Sequence, residues 1–109
     1  MFWDEWKPPM DVYETEDAVF VEIELPEVDR SMVRIVRDGN RLIIEGTKGS
    51  PYGLEGVRFL RIERFSGPFR RVVRLPFVPD EKNIKAVMGK GVLKVIINKK
   101  THRVELEGE

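Results

Sequence analysis

Prolines and glycines cut this chain into short pieces, and the pieces between them are rich in β-branched residues. No helical stretch separates one such run from the next, so a parallel α/β arrangement is not expected. The run 18–25 (AVFVEIEL) alternates, with Val19, Val21, Ile23 and Leu25 on one face and Phe20, Glu22 and Glu24 on the other. That is the pattern of a half-buried strand, and Pro26, which cannot donate to a ladder, ends it. Runs at 31–37, 41–47, 58–65, 69–75, 83–88 and 91–98 have the same character. Asp38-Gly39-Asn40, Ser66-Gly67-Pro68 and Gly89-Lys90-Gly91 read as turns between them. Residues 49–56 form a loop rich in breakers, and residues 80–83 (DEKN) allow one helical turn after Pro79. Seven or eight short strands at this spacing predict an all-β sandwich.

A length of 109 residues suits one domain. Residues 10–98 are expected to form the sandwich. Residues 1–9 read as a short N-terminal arm and residues 99–109 as a polar C-terminal extension. Charged residues make up 35% of the chain, but 19 basic residues balance 19 acidic ones. A neutral chain carries no general field for nucleic acid or anionic lipid. There is no cysteine, and no apolar run approaches bilayer length. The N-terminus, MFWDEWKPPM, has acids and tryptophans where a signal peptide would carry basic residues and an apolar stretch. The expectation is a cytoplasmic protein.

Catalytic chemistry finds little support. The single histidine, His102, lies in the C-terminal extension, and no close set of His, Cys or acidic residues has metal-ligand spacing. Ser31, Ser50 and Ser66 stand beside turn residues. No glycine-rich loop precedes a helix to cradle a phosphate. Neither enzymatic activity, a metal nor a cofactor is expected. Residues 58–74 interleave six arginines with Phe59, Phe65 and Phe69, a composition that can bind single-stranded nucleic acid. Arginines on strands also pair across subunit interfaces, and the neutral balance of the chain favours that reading.

Several strands carry more apolar surface than one buried face needs. Val33 and Ile35 oppose Met32 and Val36; Phe69, Val73 and Leu75 oppose Val72; Leu93, Val95 and Ile97 oppose Val92 and Ile96. Surplus apolar faces predict contact with other chains. The arms have the shape of matching plugs. Val104-Glu105-Leu106 places two apolar residues on one side of an extended segment, which suits docking on a sheet. Phe2, Trp3, Trp6 and Met10 supply large apolar groups at the other end, either for a partner or for packing on the chain's own sandwich.

Taken in order, these segments resemble the small heat-shock proteins, with residues 10 to about 98 similar to an α-crystallin domain. The resemblance rests on Asp11-Val12-Tyr13-Glu14, Glu24-Leu25-Pro26-Glu27-Val28, Leu42-Ile43-Ile44-Glu45-Gly46, Arg61-Ile62-Glu63-Arg64 and Gly67-Pro68-Phe69-Arg70-Arg71 with Arg74-Leu75-Pro76 as central strands, and Ala86 through Gly91-Val92-Leu93. Glu27 stands where the family usually has glycine. The resemblance implies an immunoglobulin-like two-sheet antiparallel β-sandwich. It also implies an ATP-independent holdase that binds unfolding client proteins and assembles from homodimers. In such a protein the loop at 48–60 would be exchanged with a partner through Tyr52, Leu54, Val57 and Phe59. Arg71 would form an ion pair in the dimer. Val104 and Leu106 would dock in a groove between the family's fourth and eighth strands, near Val33, Ile35, Val73 and Leu75. Phe2, Trp3 and Trp6 would contact clients or other subunits. Arms this short lead to an expectation of dimers or small oligomers. The competing reading is a co-chaperone adaptor with a sandwich of the p23 type, which lacks a dimerising loop.

Overall fold

The computed structural model describes residues 6–49, 53–99 and 106–108. These residues form an antiparallel sandwich with seven strands among them: β1 (Met10–Glu14), β2 (Ala18–Glu24), β3 (Val33–Asp38), β4 (Arg41–Lys48), β5 (Gly67–Arg74), β6 (Ile84–Gly89) and β7 (Val92–Asn98). One sheet has the order β1-β2-β7-β6 and the other β3-β4-β5. Two single 3₁₀ turns, Arg30–Met32 and Glu81–Asn83, lead into β3 and β6. Each is capped by the aspartate before it: Asp29 accepts from the Ser31 N–H, and Asp80 accepts from the Lys82 N–H. Those caps occupy donors that a short turn would otherwise leave unpaired. The bonds to Ser31 hold the Asp29 carboxyl below its ordinary range.

The alternation in the sequence is what the core uses. Val19, Val21 and Ile23 of β2 lie beside Leu93, Val95 and Ile97 of β7 and face Leu42, Ile44, Phe69 and Val73 of the other sheet. Among the described residues no charged or polar side chain is buried with them. Gly46 has a specific task. A Cβ at this position would strike the carbonyl of Met32 and stand 2.8 Å from the ring of Phe69. The absence of a side chain therefore lets Phe69, its register partner, lie across β4 as the largest buried group of the core.

Two sequence expectations are corrected. Residues 58–65 form no strand, although their composition suits one. Among the described residues no neighbouring strand offers them a ladder, and their apolar residues occur at both parities, so no single face can be buried. Gly67 and Pro68, expected as a turn, instead open β5. The consequence is that the described residues 53–66, which lead into β5, have no regular structure. The radius of gyration is 18.7 Å, against about 13 Å for a compact domain of this length, so part of the chain stands off the sandwich.

Candidate partner-binding surfaces

Each sheet ends in two edge strands, and the molecule treats its edges differently. The edge of β5 is partly covered by the segment that precedes β1. Trp6 forms a parallel bridge with Phe69, and the Arg71 guanidinium donates to the Pro8 carbonyl at 3.0 Å. Pro8 is fully buried, and the Pro9 carbonyl accepts from the Glu24 N–H of the other sheet. Residues 6–9 thus run as a strap from one sheet to the other. The Trp6 ring is held by Phe65 and Phe69, both with centroids at 5.6 Å, and the Lys48 ammonium lies 5.3 Å from its centroid. Trp6, expected above as a partner contact or as packing on its own domain, packs on Phe65 and Phe69 of its own domain. Phe2 and Trp3 lie outside the described residues.

Among the described residues no strand pairs with the outer edge of β1. Val12 and Tyr13 are about half exposed there. Tyr13 stacks on Phe20 at 5.0 Å and donates to Glu22 at 3.1 Å. Desolvation first, then that hydrogen bond and the charges of Glu22 and Asp11, raise the Tyr13 hydroxyl above its ordinary pKa. An edge with free main-chain groups and apolar side chains is a template for another chain.

Among the described residues the connection between β4 and β5 carries the largest group of exposed apolar side chains. Leu54 is 61% exposed, Val57 50% and Leu60 89%, with Phe59 and Ile62 near 40%. Tyr52 lies outside the described residues. At its base the connection is anchored. Arg64 makes a two-pronged contact with the Glu27 carboxylate at 2.8 and 3.0 Å, beside a hollow of about 440 Å³ lined by Lys48, Phe59, Ile62 and Phe65.

The open side of the sandwich, between the edges of β3 and β6, is a cleft of about 460 Å³. Ile35, Val36, Arg37, Leu42, Glu81, Ile84 and Ala86 line it. Of the groove residues expected from sequence, Ile35 lines this cleft and Val33 is partly buried against the core beside it on β3. Val73 and Leu75 do not line it. Both are core residues, at 6% and 3% exposure. They share the inward parity of β5 with Phe69, and Leu75 instead forms part of a separate hollow with Val12 and Tyr13. Ile84, Ala86 and Arg37, which the sequence reading did not select, complete the cleft. Arg37 follows Val33 and Ile35 at the same parity, which is the signal that could have found it.

Val104 lies outside the described residues, and Leu106 is 97% exposed. Arg71 faces inward on β5, half buried, beside a hollow of about 280 Å³ lined by Lys7, Arg70, Arg71 and Val72. Among the described residues no group of three or more His, Cys, Asp or Glu could hold a metal ion, and no helix is long and apolar enough to cross a membrane.

Residues 11–108 match the model of the Hsp20/alpha crystallin family. The 19.0 kDa class II heat shock protein of Oryza sativa subsp. japonica is 39% identical over 100 residues, covering 84% of this chain and 57% of that protein. Spore protein SP21 of Stigmatella aurantiaca is 31% identical over 93 residues, 85% of this chain and 55% of that protein. The chain therefore spans little more than half the length of these relatives. Among solved structures, heat shock protein 16.0 from Schizosaccharomyces pombe superposes with a TM-score of 0.78 at 29% identity, covering 96% of this chain and all of that one. A small heat-shock protein from Xylella fastidiosa gives 0.81 at 27% identity, with 97% of each chain covered. The two-sheet sandwich, the segments that carry the resemblance and the match over residues 11–108 together place this chain in the Hsp20/alpha crystallin family.

Proposed function

We propose that this chain is a chaperone that holds unfolding proteins without nucleotide and works as a homodimer or small oligomer. The observation that carries the reading is the contrast between a sealed core and a connection that displays Leu54, Val57, Leu60 and Ile62 to solvent. Apolar side chains on a segment with no ladder of its own are costly in an isolated chain and useful in a pair. In this reading the connection of one copy adds to the open β1 edge of the other. Leu54, Val57 and Phe59 enter the contact, and Tyr52 belongs with them. Arg71, beside Lys7 and Arg70, receives a carboxylate of the second copy in a hollow where three cations meet.

Clients bind by burial of apolar area, at roughly 25 cal/mol per Å², which requires no cofactor. The β3–β6 cleft takes the C-terminal segment of a second copy, with Val104 and Leu106 as its anchors. The size of Ile35, Leu42, Ile84 and Ala86 suits two aliphatic side chains one residue apart on an extended strand. Heating a model client with a near-equal molar amount of the chain tests the holdase reading. Suppressed turbidity is expected; turbidity equal to that of the client alone contradicts it. Monomeric mass in light scattering would instead favour the adaptor reading of the p23 type.

A further inference from the structure

The β3–β6 cleft is lined by Ile35, Val36, Leu42, Ile84 and Ala86 together with the charged Arg37 and Glu81. The Nε–H of Arg37 is buried and has no hydrogen-bond partner. Its Nη2 reaches the Glu81 carboxylate at 3.4 Å, long for a charge-assisted bond. Glu81 itself is three-quarters exposed, so the pair holds the guanidinium at the cleft mouth without satisfying it. A buried donor with no acceptor is rare in folded proteins, because the hydration it loses is not replaced. Arg37 shares the inward side of β3 with Ile35, across from Ile84 and Ala86, so the orphan N–H belongs to the cleft lining.

An occupant that completes this cleft must offer two apolar side chains and, beside them, an acceptor. An extended peptide does both, because its carbonyls project sideways between successive side chains. The chain contains such a segment at 104–106, and Leu106 stands 97% exposed on its own molecule, available to another. We infer that Arg37 is a specificity-determining residue of the cleft: its Nε–H donates to a main-chain carbonyl of the docked Val104–Leu106 segment and fixes that segment's register. This rests on the docking proposed above. Ile35, Ile84 and Ala86 then provide affinity for any aliphatic pair. Arg37 discriminates, because a segment docked one residue out of register leaves the donor buried and unpaired.

The test uses the full chain carrying Val104→Ala and Leu106→Ala, so that its own segment does not compete. A fluorescent peptide of residues 100–109 is titrated and followed by anisotropy. Saturable binding is expected, weakened severalfold by Ile84→Ser. Arg37→Lys keeps the charge but lacks the Nε–H, and both it and Arg37→Met should bind about tenfold more weakly. Without peptide, Arg37→Met should melt at the parental temperature or above it, because the orphan donor is gone. Equal peptide affinity in the parent and both Arg37 variants overturns the role of Arg37 and leaves the docking intact. A fall in melting temperature that accounts for the binding loss makes Arg37 a fold residue and overturns it too. Absence of binding in the parent overturns the docking and the inference together.

Discussion

Arg64 grips the carboxylate of Glu27 with one nitrogen at 2.8 and 3.0 Å, and Glu27 holds a left-handed backbone, φ 60°, to receive it. A non-glycine residue in that region is strained. This is the position where the family usually has glycine. The side chain that makes the backbone costly is the one that tethers the connection between β4 and β5 to the end of β2. Glu27→Gly should therefore separate two properties. The melting temperature should stay level or rise by a few degrees, roughly, as the backbone relaxes. The proposed dimer should dissociate at higher concentration, because the connection loses its anchor. Dilution series in light scattering and a thermal melt would show both.

The strap makes a second prediction. Trp6→Ala removes a ring held by Phe65, Phe69 and Lys48. Loss of a partly buried aromatic group should cost about 2–3 kcal/mol, a fall in melting temperature of roughly 10 °C. Amide exchange should rise along β5, whose edge the strap covers.

Gly46→Ala is expected to destabilise even though alanine is the stiffer residue in the unfolded chain. The added carbon meets the Met32 carbonyl and the Phe69 ring, and overpacking of this kind costs about 1–3 kcal/mol. The double variant Gly46→Ala with Phe69→Leu should recover part of the loss, which a melt of all three proteins would measure.

Arg70 and Arg71 are neighbours with different surroundings. Arg71 faces inward, half buried, and bonds Pro8, whereas Arg70 faces outward at 3.8 Å from Glu45. Arg71→Gly should weaken the dimer more than Arg70→Gly, read as mass against concentration. Equal effects would remove the role given to Arg71.

Val104→Ala with Leu106→Ala should leave the sandwich folded and reduce the assembled mass. An unchanged elution and scattering mass would remove the C-terminal segment from assembly.

The strands were legible because alternation is local: the parity of Val19, Val21 and Ile23 already separates core from surface. Parity does not say which covering element a face meets. Val73 and Leu75 could line a groove or a core, and only their packing in the closed sandwich shows that they are core. Residues 58–65 look like a strand for a related reason. Composition reports a preference for pairing, whereas the ladder depends on a neighbour that the described residues do not supply. The cleft was half visible, in Val33 and Ile35. Its polar member was hidden because an arginine at an apolar parity, Arg37, reads as an interruption of the pattern when it is part of the lining.

The central claim is that the apolar residues on the connection between β4 and β5 do the protein's work. Leu54→Ser, Val57→Ser and Leu60→Ser, combined in one chain, touch residues that are half exposed or more and should leave the melting profile of the sandwich in place. The direct measurement is the turbidity of a heated model client with an equal molar amount of wild type or of this variant. Wild type should keep the solution clear and the triple variant should lose most of that protection. Equal protection by both, or none by either, would contradict the account.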